Sequence, residues 1–118
     1  MAVKRIVTNI PATRLDAARA FYGEVLGLEL VMDHGWILTF AASGASATPQ
    51  ISVACEGGSE TPVPDVSVEV DDLDAVLRRA TEAGHAIEYG PVQEPWGVRR
   101  FYVRDPFGRL VNILVHPG

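Results

Sequence analysis

Leu15-Asp16-Ala17 and Leu73-Asp74-Ala75 stand 58 residues apart, and each follows a short β-branched run and opens a helix-like segment that stops at a glycine. A chain of 118 residues that repeats a strand-then-helix unit once is confined to two copies of one module, each too small to bury a sufficient core alone. The sequence therefore predicts a single domain over residues 1–118, with modules at 1–56 and 65–118 and a linker at 57–64. A functional site is expected on the surface that the repeated sheet leaves shared between the copies.

Within the first copy, Ile6 to Ile10 has the β-branched content of a strand, closed by Pro11. Thr13 is a candidate N-cap for a helix over Leu15 to Leu26, whose apolar positions Leu15, Ala18, Phe21, Tyr22, Val25 and Leu26 recur at three- and four-residue steps, with Gly27 as its stop. Leu28 to Met32 and Trp36 to Ala41 read as a hairpin around Asp33-His34-Gly35, Ser43 to Thr48 as a loop, and Gln50 to Ala54 as a fourth strand. The second copy repeats the order. Val66 to Val70 alternates dry and polar residues, Asp71 or Asp72 caps a helix to about Ala83, and Gly84 ends it. Strands then follow at Ala86 to Tyr89, Val98 to Val103 and Leu110 to Val115, with turn chemistry at Gly90-Pro91 and Asp105-Pro106-Phe107-Gly108.

The order βαβββ followed by βαβββ defines an α+β fold. With the residues Leu15 to Tyr22, Leu26-Gly27-Leu28, the second helix opening at Val70-Asp71-Asp72-Leu73-Asp74, and Asp105-Pro106-Phe107-Gly108-Arg109-Leu110, the chain resembles the vicinal oxygen chelate superfamily over nearly its whole length. That superfamily includes glyoxalase I, bleomycin-resistance proteins and extradiol dioxygenases. The resemblance implies a glyoxalase/bleomycin-resistance fold, in which the two modules pair as half-barrels with helices on the convex side and a cup on the concave side. It covers binding proteins and enzymes alike, because activity resides in the site and not in the scaffold.

Strand periodicity divides the two faces. Val66, Val68 and Val70 are expected against a helix, with Asp65, Ser67 and Glu69 in the cup. Ile6, Thr8 and Ile10 are expected on the helix side, with Val7 and Asn9 inward. On the last strand Val111, Ile113 and Val115 pack outward and Leu110, Asn112, Leu114 and His116 face the cup.

Metal-dependent members that the chain resembles place a His or Gln on the first strand of each module and a Glu on its last. Carried over, these positions fall on Val7, Asp65 and Asn112, with the remaining counterpart near Gln50 or Ser52. Val7 has no lone pair and Asn112 is neutral, so the set is degenerate and no metal is expected. The alternative is one divalent ion held by Asp65, Glu69 and His116, in a lyase, isomerase or dioxygenase acting on vicinal oxygens. His34 and His85 fall in turn settings, spacing alone defines no serine, histidine and carboxylate arrangement, and the sequence has no glycine-rich phosphate loop.

Trp36, Trp96, Arg100 and Tyr102 supply an aromatic lining instead, and the segment Glu94-Pro95-Trp96-Gly97 leading to Arg100 resembles the bleomycin-resistance branch. The candidate ligand-binding set is Asn9, Trp36, Asp65, Ser67, Glu69, Trp96, Arg100, Tyr102 and Asn112, with the acidic members favouring a cationic guest. The alternative use for the tryptophans is core or dimer filling, and for Arg99, Arg100, Arg104 and Arg109 an ion-paired face. The leading expectation is a metal-independent protein, with no cofactor, that sequesters a hydrophobic or aromatic small molecule. An interaction module with a filled cup is a third. A formal net charge of −5 argues against nucleic acid, and no apolar run approaches the roughly 20 residues of a bilayer-spanning helix. Met1 to Arg5 leads straight into strand-like sequence and the lone Cys55 forms no internal disulfide, so we expect a cytoplasmic protein; the resemblance implies a homodimer, since small members of that superfamily commonly pair.

Overall fold

The computed structural model describes residues 2–42 and 49–117. The loop expected at Ser43 to Thr48 lies outside them. The chain forms two compact units, one running from Val7 to Val63 and the other joining the residues up to Ile6 with those from Pro64 onward.

In the N-terminal unit, β1 (Val3–Pro11, its first residues belonging to the other unit) pairs in parallel with β4 (Gln50–Ala54). β3 (Ile37–Ala41) runs antiparallel to β4 and to β2 (Glu29–Asp33). Ala18, Leu38, Phe40 and Val53 form the buried core, and Ile10, Leu15, Tyr22 and Ile51 pack on it. Ile10 thus takes the expected helix-side place. Ile6 and Thr8 share its face by alternation but are left uncovered, Ile6 being 63% exposed and Thr8 exposed too.

The first helix departs from its expected form. Only α1 (Leu15–Ala18) is α-helical, with Arg14 and not Thr13 at its N-cap, and a π-helical segment follows over Arg19–Val25. Its end is marked by the Leu26 amide donating to the Phe21 carbonyl at 3.1 Å, a reach of five residues. That wider winding carries Phe21, Val25 and Leu26 off the face that the three- and four-residue spacing assigned them, and all three are more than half exposed. Tyr22 stays on the core, its ring 5.8 Å from that of Phe40. Gly27 then closes the segment at φ +71°, a conformation an L side chain rarely takes.

In the C-terminal unit the strand order is β5-β8-β7-β6. β5 (Val66–Val70) is parallel to β8 (Leu110–Val115), and β7 (Arg99–Arg104) is antiparallel to β8 and to β6 (Ile87–Gln93). Gly90-Pro91 lies inside β6, where the register with β7 shifts, and does not form the turn read from the sequence. α2 (Leu73–Glu82) is capped by the Asp72 carboxylate, which accepts from the Ala75 amide at 3.1 Å. Its apolar stripe of Leu73, Val76 and Leu77 packs on Val68, Val70, Phe101, Val111, Ile113 and Val115. The alternation read for β5 and β8 therefore holds, and the opposite face carries Ser67, Glu69, Arg100, Tyr102 and Asn112. Between β7 and β8, Asp105 Oδ1 accepts from the amides of Phe107 and Arg109, building the expected turn.

Candidate ligand site

Arg100 is the centre of the C-terminal unit's second face. It sits on β7 with its side chain only 3% exposed, and a guanidinium buried that far from water needs an acid and a place to spread its charge. Glu94, likewise 3% exposed, supplies the acid: its Oε2 accepts from Arg100 Nη2 at 2.6 Å and Nε at 2.7 Å, and from the Tyr89 hydroxyl at 2.9 Å. Rings supply the rest. The Arg100 guanidinium carbon stands 4.9 Å from the centroids of Trp96 and Tyr102 and 5.4 Å from that of Tyr89. Tyr89 and Tyr102 are paired across β6 and β7 with centroids 5.1 Å apart. The aromatic lining that the sequence offered to a guest cation is thus packed around a cation of the chain itself.

Glu94 and Tyr89 are not in the candidate ligand-binding set read from the sequence, although Glu94 opens the segment that leads to Trp96 and Arg100. A signal for Glu94 existed, since an acid lies six positions from Arg100 with Trp96 between them; the shifted register that brings Tyr89 alongside had none.

The other acids of the site are also engaged. Glu69, whose side chain is 12% exposed, lies 2.9 Å from Arg5 Nε, 4.0 Å from Lys4 Nζ and 3.0 Å from His116 Nδ1. Burial works to raise its pKa, but the His116 hydrogen bond and the charges of Arg5, His116 and Lys4 outweigh it and hold the carboxyl below its ordinary value. Asp65 Oδ2 accepts from the Leu110 amide at 2.8 Å, and Arg109 stands 3.8 Å from Oδ1. The expected attraction of these two acids for a cationic guest is therefore met from within. Arg99 pairs with Asp74 at 2.8 Å and Arg104 with Glu88 at 2.6 Å, so the basic cluster is an ion-paired face.

Ser67, Asn112 and Tyr102 lie in register across β5, β8 and β7. Asn112 is 7% exposed; its Nδ2 donates to Ser67 Oγ at 3.0 Å, and its Oδ1 is buried with no hydrogen-bond partner among the described residues.

In the N-terminal unit, Val7 and Asn9 are buried on the face away from the helix, as their period required. Asn9 stands in register with Ser52 and Ser52 with Thr39, whose hydroxyls meet at 2.7 Å. Trp36 lies just before β3, half-buried, its ring stacked 6.2 Å from that of His34. Cys55 is exposed, with Sγ 3.6 Å from the Trp36 carbonyl.

Some relatives of this fold hold a divalent ion, and the residues at the corresponding positions do not fit one. Val7 offers no donor atom, the Asp65 carboxylate is bound to a backbone amide, and Asn112 presents one neutral oxygen. Nor does the alternative set of Asp65, Glu69 and His116 come together: Glu69 and His116 touch, but among the described residues no three His, Cys, Asp or Glu side chains are placed to hold a metal ion.

Solved structures share this fold at low identity. A protein from Legionella pneumophila described as an NAD-dependent benzaldehyde dehydrogenase is 15% identical, with 96% of this chain and 100% of that one covered and a TM-score of 0.75. A glyoxalase/bleomycin resistance protein/dioxygenase superfamily member from Vibrio splendidus 12B01 is 18% identical, with coverages of 97% and 99% and a TM-score of 0.65. Methylmalonyl-CoA epimerase from Mycobacterium tuberculosis is 19% identical, with coverages of 98% and 88% and a TM-score of 0.64. No curated protein matches the chain. The family model of the Glyoxalase/Bleomycin resistance protein/Dioxygenase superfamily matches residues 4–113, and the chain belongs to that superfamily.

Proposed function

We propose that this protein is a small-molecule-binding member of its superfamily, taking a hydrophobic or aromatic organic ligand without a metal ion. One observation carries the reading. The C-terminal sheet has an apolar face packed on α2 and a second face that buries Tyr102, Arg100, Glu94 and Asn112. A face built only for stability is filled at lower cost with apolar side chains, as the α2 side is; ring faces combined with a few fixed polar groups are the make-up of ligand sites. Because the charges on this face are paired internally, we read the ligand as uncharged. The poor donor set at Val7, Asp65 and Asn112 supports metal independence. We further propose a cytoplasmic homodimer, since the exposed Phe21, Val25 and Leu26 give the N-terminal unit apolar surface for a second copy to cover.

The test is a titration of the intact chain with uncharged planar aromatics, followed by tryptophan fluorescence, beside thermal melts with Ni, Zn, Mn or Fe(II) added. Saturable quenching that Trp96→Ala weakens, with melting unmoved by any metal, is the expected result. A rise in Tm with one of those ions would overturn metal independence, and sedimentation at monomer mass would overturn the dimer.

A further inference from the structure

The internal repeat provides a control for the orphaned oxygen of Asn112. Ser67 follows Asn9 by 58 residues, the spacing of the repeat itself. Each begins a row of three residues in register on the face away from the helix: Asn9, Ser52 and Thr39 in the N-terminal unit, Ser67, Asn112 and Tyr102 in the C-terminal one. The middle residue of the first row is a serine, and its hydroxyl is joined to Thr39 at 2.7 Å in buried surroundings. The middle residue of the second is an asparagine, whose amide has two ends. One end reaches Ser67, and the other, Oδ1, meets nothing among the described residues.

Such an atom is costly. A buried acceptor without a donor has lost its water and gained nothing in exchange, and native folds keep few of them. The local packing does not require an amide there, since Leu110 and Leu114, two positions to either side on the same strand face, are buried leucines. The atom's chemistry defines what would satisfy it: a carbonyl oxygen accepts, so its partner must donate through N–H or O–H. Neighbouring groups narrow the class further. Across the strand pair stands Tyr102, part of the group of rings with Tyr89 and Trp96, while Arg100 and Glu94 offset each other's charge.

We propose that Asn112 is the ligand-selecting residue of the C-terminal unit, its Oδ1 accepting a hydrogen bond from an N–H or O–H donor on an uncharged aromatic ligand. This rests on the small-molecule reading above and adds the chemistry of the guest to it. A ligand that lacks the donor, or that presents a lone pair in its place, leaves Oδ1 unpaired and is rejected, because a site built around a hydrogen bond discriminates strongly against analogues that cannot make it.

The experiment uses matched probes that differ only in the donor: indole against 1-methylindole, and phenol against anisole. Each is titrated into the full-length 15N-labelled chain, following the Asn112 side-chain NH2 and the backbone amides of Ser67 and Tyr102. We expect indole and phenol to bind at least about tenfold more tightly than their methylated partners, which corresponds to about 1.4 kcal/mol. Asn112→Leu is expected to abolish that preference while remaining folded. The double variant Ser67→Ala with Asn112→Leu removes both ends of the 3.0 Å hydrogen bond and serves as the check should the single variant fold poorly. Equal affinity for the two members of both pairs, tighter binding of the methylated members, or a preference that survives in the leucine variants overturns the role of Asn112 and leaves the binding function standing. Failure of all four probes to bind overturns the small-molecule reading, and this inference with it.

Discussion

Removing Arg100 should expose how much the ring-lined cage depends on its internal cation. In Arg100→Ala the Glu94 carboxylate, 3% exposed in the wild type, loses both of its guanidinium hydrogen bonds, at 2.6 and 2.7 Å. Breaking a buried pair from one side costs about 3–5 kcal/mol, because an uncompensated charge stays behind. At about 4 °C per kcal/mol for a chain of this length, Tm falls by about 12–20 °C. Removing both charges, as in Glu94→Gln with Arg100→Met, leaves no such charge and is expected to cost less than about 2 kcal/mol, mostly at the Tyr89 hydroxyl. A double-mutant cycle by urea denaturation should therefore give a coupling energy above about 2 kcal/mol. The emptied cage of Arg100→Ala keeps three rings and a carboxylate, and methylguanidinium should enter it. At ten times its dissociation constant it restores about 1.4 kcal/mol, or some 5–6 °C, while wild type gains nothing. A loss below about 1 kcal/mol in the alanine variant, or an equal response of both proteins to methylguanidinium, would refute this account of the cage.

Further perturbations test other parts of the fold. Gly90 holds φ +77° and a Cβ there would fall 2.5 Å from the Arg100 carbonyl oxygen, so Gly90→Ala should lower Tm by about 8 °C or more and weaken the β6–β7 pairing seen by amide exchange. Asp72→Ala removes the cap of α2 and should cost about 1 kcal/mol in urea denaturation, with Asp72→Asn recovering most of it. Glu69 has a folded pKa below its ordinary 4.5, so the unfolded chain binds more protons between the two values. Its contribution is complete above 4.5 and is lost as pH falls through the folded value; melts from pH 6 downward should show a shallower acid decline in Glu69→Gln than in wild type. Thr39→Val strands the Ser52 hydroxyl in a buried setting and should destabilise by about 1–3 kcal/mol, more than Thr39→Val combined with Ser52→Ala.

The duplicated βαβββ order was legible in the sequence, as were the faces of β5, where Val66, Val68 and Val70 alternate strictly with Ser67 and Glu69; those of β8 followed from the same period of two. Turn chemistry was equally direct at Asp105 to Gly108 and at the two helix-ending glycines. The π-helical segment was hidden: Phe21, Val25 and Leu26 satisfy an α-helical spacing, and nothing in the residue types marks where the hydrogen bonds lengthen to five residues. The extent of β6 was hidden for a related reason, since a Gly-Pro pair signals a turn locally while the pairing with β7 carries the strand through it. At the site, single residues were visible but their partners were not. Arg100 and Trp96 stand out in any reading and Glu94 lies near them in sequence, whereas the tyrosine that completes the cage depends on a shifted strand register that periodicity does not encode.

A wide-wound turn is equivalent to an ordinary one holding a surplus residue. The stretch Arg19–Val25 is consequently where this chain can lose one position, for instance at Gly23, by tightening into an α-helix while the strands before and after keep their places. Such a deletion would swing the exposed phenyl ring of Phe21 round the axis, so a change of length here is felt on the outer surface of the helix and not in the pleated framework.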